Sequence, residues 1–396
     1  MDFSTGLDRL LSEPQMQGLL RGRIGYLCHA ASLTAKLDHG LDRLVEMAGK
    51  RVTCAFGPQH GFTTDLQDNM IESGHALHPL HRIPLFSLYE KEREPAAEML
   101  DLIDTLVIDL QDAGTRVYTY IWTMLLAMEA CARRGIRVIV TDRPNPAGGL
   151  IREGTTAEPD WFSFVAMAPI PMRHGLTIGE MALFFKKTRK LDLDLEVIQM
   201  KGWNRAMLWR DTGLHWVNPS PNLPTPEATL VYPGSVMFEG TLLSEGRGTT
   251  RSLELFGHPA IEPFGMAAPL NDYLSRQQLE GFRLRPLTFV PTHHKHAGEV
   301  CGGFQVHVTD PHHFRPWITV LAIIRYLYHE SAIRPFWSTL PYEYQFERLA
   351  FDWINGSDAI RHWIENDRST ITEITDLENT GLTSFGYLAE DCLLYH

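Results

Sequence analysis

The sequence predicts an α/β protein: a Rossmann-like, doubly wound parallel sheet accompanied by a second, smaller mixed α+β domain. Three observations predict it. Short β-rich apolar runs alternate with helix-period segments through the first half, the pattern of βα units. Three of those runs are followed by polar loops rich in Gly and Pro, as at the ligand-binding edge of an open α/β sheet. From about Trp203 the texture changes to frequent Pro, Gly and Trp with few clean periods.

The expected strands are Ile24–His29, Val52–Phe56, Ile83–Leu88, Thr105–Leu110, Arg137–Thr141 and Leu195–Met200. Helical spacing marks Leu41–Ala48, Ala96–Ile103 and Tyr120–Arg133, the last with Gly135 where a C-cap belongs. Thr177 and Glu180 form a capping-box pattern that opens a helix over Thr177–Phe185. Beyond Trp203 the one clear helical period is Pro316–His329. The expected division is a catalytic domain at 1–225 and a companion domain at 226–396, with the boundary inside about 200–235.

A net charge of −12 over 396 residues repels polyanions, so nucleic acid is not an expected partner. Asp2, Asp8, Arg9 and Glu13 interrupt the apolar core that a signal peptide needs. No stretch approaches the roughly 20 apolar residues that span a bilayer. A cytoplasmic protein without membrane partners is expected. Cys28, Cys54, Cys131, Cys301 and Cys392 are scattered and lack a CxxC pair, which fits buried thiols better than a disulfide or zinc framework.

The chemistry concentrates in the loops. Val52–Phe56 leads into Gly57-Pro58-Gln59-His60-Gly61-Phe62 and then Gln67-Asp68-Asn69-Met70-Ile71-Glu72-Ser73. Thr105–Leu110 leads into Gln111-Asp112-Ala113-Gly114-Thr115-Arg116-Val117-Tyr118-Thr119-Tyr120, and Arg137–Thr141 into Asp142-Arg143-Pro144-Asn145-Pro146. Local ion pairs or caps explain any one of Asp112, Arg116, Asp142 or Arg143 as well as chemistry does; three polar loops on one sheet edge point to a site. His174-Gly175, Asn218–Pro224 and the segment Glu239–Thr250, with Glu239, Glu245 and Arg247, add polar loops from the second half. Neither a GxGxxG nor a GxxxxGK[ST] pattern is present, which argues against a nucleotide, and no cofactor is expected. His75, His78 and His81 recur every third residue, but Pro79 breaks any helix that would align them, so no metal is expected either.

Taken together, FGPQHG, DLQDAGTRVYTY, DRPNPAGG, PMRHGLTIGE, DTGLHWVNPSPNLPT, YPGSVMFEGTLLSEGRGTT and FDWINGS resemble the exo-β-N-acetylmuramidase (NamZ-like, formerly DUF1343) glycoside hydrolases, from about residue 20 to the end. The resemblance implies an interdomain cleft and release of N-acetylmuramic acid from non-reducing ends of peptidoglycan fragments. Many members of that family carry GPEHG, whose Glu is the proposed acid; here the position is Gln59, and an amide has no proton to give a leaving group.

The acid is therefore expected among Glu72, Asp112, Glu239 and Glu245, with His60 orienting it and Glu72 the first choice. Arg116 and Arg143, then Arg247, suit the lactyl carboxylate of the sugar. Gln59, Tyr118, Asn145, His174 and Asn222 complete the expected binding set; Tyr118 and Tyr120 suit stacking, and Trp122 a core position. Two alternatives follow from Gln59: a sugar-binding or regulatory protein without catalysis, or a glycosidase of altered specificity.

Overall fold

The computed structural model describes residues 3–66, 74–89 and 93–396. Seven strands form the first sheet: β1 (Ile24–Leu27), β2 (Val52–Gly57), β3 (Ala76–Leu77), β4 (Pro84–Ser87), β5 (Thr105–Ile108), β6 (Arg137–Thr141) and β7 (Leu195–Ile198). Their order is β3-β4-β2-β1-β5-β6-β7, parallel except for the short edge strand β3. Without β3 the parallel strands take the 3-2-1-4-5-6 order of the Rossmann fold. The chain therefore reverses direction across the sheet between β1 and β5, and a crevice opens at their carboxyl ends. Central strands are buried on both faces, which is why β5 (TLVI) and β6 (RVIVT) read as continuous apolar runs.

All six expected strands are present. The helix Tyr120–Arg134 ends as expected at Gly135, whose φ of 63° is left-handed. Thr177 caps Ile178–Thr188 in a reciprocal box with Glu180. The expected helix Ala96–Ile103 is shorter, a single turn at Ala97–Leu100. Asp104 draws the chain out of it by accepting the Arg23 backbone N–H at 2.7 Å, which aligns the entry to β5 with β1.

The second half holds more regular structure than its periodicity suggests. Strands β8 (Leu255–His258), β9 (Phe282–Phe289) and β10 (Cys301–Val308) form an antiparallel sheet in the order β8-β10-β9. Helices Pro226–Ser235 and Pro263–Arg276 contain Pro233 and Pro269, which interrupt the helical signal in the sequence. Helix Pro316–Glu330 lies where it is expected. The last helix, Ile371–Ala389, returns to the first sheet: Phe385 packs on Phe184 at 5.2 Å and Glu378 accepts the Gly154 N–H at 2.6 Å. Tyr395 then donates to Asp142 at 2.6 Å and accepts the Met200 N–H at 2.8 Å. One apolar cluster runs through both halves, from Leu27 to Cys392.

At the carboxyl edge, Asp109 at the end of β5 accepts two bonds from Arg143, at 2.6 and 2.8 Å. Tyr26 and Thr141 donate to the same carboxylate at 2.6 and 2.8 Å, and Arg143 also reaches the Leu33 carbonyl at 2.9 Å. All four lone-pair directions of a buried anion are thus occupied. Asp109→Asn removes the countercharge of a buried guanidinium and should lower unfolding free energy by about 3–5 kcal/mol, read from urea melts monitored by circular dichroism.

Candidate active site

The cleft sits above the crevice. Its sheet side is built by the loop after β2, which brings Gln59 and His60, and the loop after β5, which brings Val117, Tyr118, Thr119 and Tyr120. Its other side comes from the second half: Ser220, Asn222 and Leu223, then Tyr232, Glu239, Arg247, Leu253, Tyr342 and Glu343. An inner throat of about 30 Å³ opens through Glu239, Arg247, Tyr342 and Glu343 into an outer chamber of about 300 Å³ bordered by His294, Lys295 and Leu340.

Local structure explains these positions. His60 and Gly61 have φ values of 70° and 80°, so the chain turns sharply as it leaves β2. The His60 ring bonds the Leu66 carbonyl at 2.7 Å. Gly114, at φ 73°, leaves no room for a side chain, since a Cβ would lie 2.2 Å from the Asn145 oxygen. Tyr118 and Tyr120 lie 4.7 Å apart, centroid to centroid, with Tyr232 at 6.1 Å from Tyr118. Tyr120 is tied to the opposite wall through the Pro219 carbonyl, at 2.6 Å.

Glu239 and Glu245 occupy a cationic corner. Arg247 pairs with Glu239 at 2.6 Å and with Glu245 at 3.2 Å. Lys295 donates to Glu245 at 3.0 Å and to the carbonyls of Phe238, Glu239 and Leu243. Burial alone would raise the Glu245 carboxyl; Lys295, His294 and Arg247 outweigh it and hold the group well below the usual carboxylate range. Glu245 is therefore a fixed anion that orients Arg247 and Lys295, a poor proton donor, while Glu239 faces the throat.

The carboxylate beside Gln59 is one that sequence reasoning missed, Glu343. Gln59 Nε2 donates to Glu343 Oε1 at 3.0 Å, and the Tyr89 hydroxyl donates to Oε2 at 2.8 Å. Thr119 donates to the Gln59 oxygen at 2.5 Å, which turns the amide so that its NH₂ faces Glu343. Arg93 stands 3.6 Å from Glu343 and 3.8 Å above the Phe164 ring. Burial raises the Glu343 carboxyl, and Tyr89, Arg93 and Gln59 oppose this only in part.

Glu343 and Tyr344 have φ values of 47° and 64°, and Tyr342 and Gln345 exchange both backbone bonds, at 3.1 and 2.9 Å. That is a two-residue hairpin of type I′, normally the place of Asn-Gly. Two non-glycine residues there cost about 1–3 kcal/mol each. Nothing in the PYEYQF segment announces such a turn, which is why periodicity and turn chemistry pass over it.

Of the sequence-derived set, Gln59, His60, Tyr118, Asn222, Glu239 and Arg247 converge on the cleft. Glu72 lies outside the described residues. Arg116 is fully buried and donates to the carbonyls of Thr155, Ile170 and Ile354 at 2.6–2.9 Å, so it is a bracket and not a ligand for a sugar carboxylate. Arg143 is likewise occupied by Asp109. Asn145 bonds the Leu176 carbonyl and the Ala147 N–H, shaping its own loop. Asp112 accepts the Gly114 N–H at 2.7 Å and pairs with His174 at 3.2 Å; both are buried. Trp122 is a core residue, as expected. His78 and His81 do meet, on a loop rather than a helix and beside Asp42, with the three ligand atoms within 4.8 Å. His78 Nδ1 accepts the His81 N–H, which leaves its proton on Nε2, and His81 is already bonded to Asp42.

A Rossmann-ordered sheet with a tyrosine-walled cleft and buried carboxylates at its carboxyl edge defines an α/β protein with a polar small-molecule cleft. The chain belongs to the exo-β-N-acetylmuramidase NamZ family. Residues 24–227 match the model of its N-terminal part and residues 230–395 that of its C-terminal part. It is 41% identical to the peptidoglycan β-N-acetylmuramidase NamZ of Bacillus subtilis (strain 168), across 99% of this chain and 91% of that one. Among solved structures, a DUF1343 family protein of Bacteroides fragilis NCTC 9343 superposes with a TM-score of 0.85 at 31% identity, covering 100% of this chain and 99% of that one. A second from the same organism gives 0.76 at 25% identity, with the same coverage.

The assignment of Arg116 to structure has a measurable consequence. Arg116→Lys cannot bond three carbonyls at once and should lower stability by about 2–4 kcal/mol. Substrate KM in the folded fraction should stay within about twofold; a large KM rise with unchanged stability would return Arg116 to the binding set.

Proposed function

We propose that this protein is an exo-acting β-N-acetylmuramidase, a glycoside hydrolase that releases N-acetylmuramic acid from the non-reducing ends of small peptidoglycan fragments. The observation that carries the reading is the cleft itself. A narrow throat walled by Tyr118, Tyr120 and Tyr232 continues into a wider chamber, and the carboxylates stand where the two meet. We assign the terminal sugar to the wider chamber where it meets the throat, with the scissile bond beside Glu239 and Glu343, which line both.

The working division is a catalytic domain at 1–225 with a companion domain at 226–396 that closes the cleft and supplies Glu239 and Arg247. Of the three arginines only Arg247 lines the cleft, so we assign it to the lactyl carboxylate, with Glu239 and Glu245 aiming its guanidinium and His294 at the mouth of the chamber beside it. Glu72 follows the loop that carries Gln59 and His60 and stays a proposed contributor. Among the described residues no helix is long and apolar enough to cross a membrane. We place the protein in the cytoplasm, in salvage of wall fragments; its five cysteines are buried free thiols, as reducing compartments preserve them. Its substrate is a small molecule, with no role assigned to nucleic acid.

Incubation with a disaccharide bearing N-acetylmuramic acid at its non-reducing end should release that sugar, seen by mass spectrometry, with N-acetylglucosaminides cut far more slowly. Glu239→Gln should lower kcat by about 10²–10⁴-fold, measured on the folded fraction because Arg247 loses one of its two countercharges. Binding of the disaccharide without any release would overturn the enzymatic reading and leave a sugar-binding protein.

A further inference from the structure

Gln59 raises a chemical problem that the cleft answers. The amide cannot release a proton, and of the described carboxylates around it Glu245 is held ionised by Lys295, Arg247 and the His294 hydrogen bond. Glu239 is tied to the Arg247 guanidinium at 2.6 Å. Glu343 differs from both. It is 2% exposed, its contacts with Gln59 and Tyr89 are neutral hydrogen bonds, and it is presented to the throat by a backbone turn that its residue type does not favour.

We infer that Glu343 is the proton donor of the cleft, standing in for the acid that position 59 lacks, with Gln59 and Thr119 as the positioning residues that aim it. The inference rests on the hydrolytic reading above. In the step assigned to it, the Glu343 proton moves to the glycosidic oxygen as the C1–O bond breaks, and that oxygen takes the bond's electron pair and leaves as a hydroxyl. Over a full cycle one water is consumed: its hydroxyl ends on C1, and its proton restores a protonated carboxyl in the cleft.

The surroundings fit a group that must be neutral before it acts. Among the described residues, the charged or titratable groups facing Glu343 are Tyr89, Arg93 at 3.6 Å, Tyr232, Tyr342 and Glu239 across the throat. Burial raises the carboxyl and Glu239 adds to the effect, while Tyr89, Arg93 and the Gln59 amide pull the other way; the balance is upward. An acid must be protonated to work, so activity should fall as pH rises through this raised value. The Gln59 amide also has a geometric role. Its oxygen is held by Thr119 and its NH₂ contacts Glu343 Oε1, which fixes the plane of the carboxyl.

Two glycosides with the same glycone test the assignment. A 2,4-dinitrophenyl N-acetylmuramide has a leaving group that departs without a proton; the natural disaccharide does not. Glu343→Gln should lower kcat/KM on the disaccharide by about 10²–10⁴-fold, and on the dinitrophenyl glycoside by less than about tenfold. The alkaline limb of the pH profile should vanish with the acid. Equal losses on both substrates, or no loss on either, would overturn the assignment. Gln59→Leu serves as a second variant that keeps Glu343 and adds no acid: losing the amide bond that opposes the raised carboxyl should move the alkaline limb upward. An unmoved limb would again count against Glu343. If the wild-type protein cleaves neither glycoside, the hydrolytic reading fails first, which separates that outcome from a failure of Glu343 alone.

Discussion

The carboxyl ends of β1, β5 and β6 are tied together by one buried charge pair, Asp109 with Arg143. Two charges without water are costly unless their polar atoms find partners, and here Tyr26 and Thr141 fill the remaining lone pairs of Asp109 while the Leu33 carbonyl takes a further N–H of Arg143. Ser32 adds a bond to the Asp109 carbonyl at 2.5 Å, so the β1 exit is fixed to the β5 exit as well. The network turns the topological switch point, by itself only a gap between diverging loops, into a rigid floor. Arg116 does the same one layer out, joining the β5 loop to Thr155, Ile170 and Ile354. Both arginines suited the sugar by residue type; both serve the frame that holds the tyrosines in place.

On that floor the cleft separates its carboxylates by environment. Glu245 sits among Arg247, Lys295 and His294, which favour its anion, and Glu239 shares the Arg247 guanidinium. Glu343 meets a hydroxyl, an amide and a more distant guanidinium in a buried position, which favours the neutral acid. Groups of identical chemistry are thereby driven toward opposite roles, the arrangement by which one site holds an acid and an anion at the same pH. The cationic corner comes from the Glu239–Thr250 loop with residues 294–295, and the acid corner from residues 341–345. Chain segments far apart in sequence contribute the two, and neither makes a site alone.

How much of this was legible follows the range of each signal. The parallel sheet could be read because buried central strands are short continuous apolar runs, as in TLVI and RVIVT, and because Thr177 with Glu180 and Gly135 are local marks. The polar loops also announced the right sheet edge, and Gln59, His60, Tyr118, Asn222, Glu239 and Arg247 do face the cleft. Local patterns could not tell an arginine that meets a ligand from one that brackets carbonyls 39, 54 and 238 residues away. In the second half, Pro233 and Pro269 inside helices hid the periods on which the reading depended.

Glu343 was illegible for the strongest physical reason. Its turn breaks the usual rule that left-handed backbone belongs to Gly, Asn or Asp, so the segment carries no mark of the conformation it adopts. Its partner Gln59 lies 284 positions away, and only the closed fold brings the amide to the carboxyl. Local preference is overruled here by tertiary contacts: the Arg93 guanidinium lies over Tyr344 and Phe164 rings, and Tyr89 and Gln59 hold the carboxyl. A conformation that the segment would not choose alone is maintained where one carboxyl must point at one place. That is the pattern expected when strain belongs to function rather than to folding. Gln59 then makes sense as a compatible neighbour. A second carboxylate 3.0 Å away would compete for the same proton, whereas an amide anchored by Thr119 can only orient the one that is there.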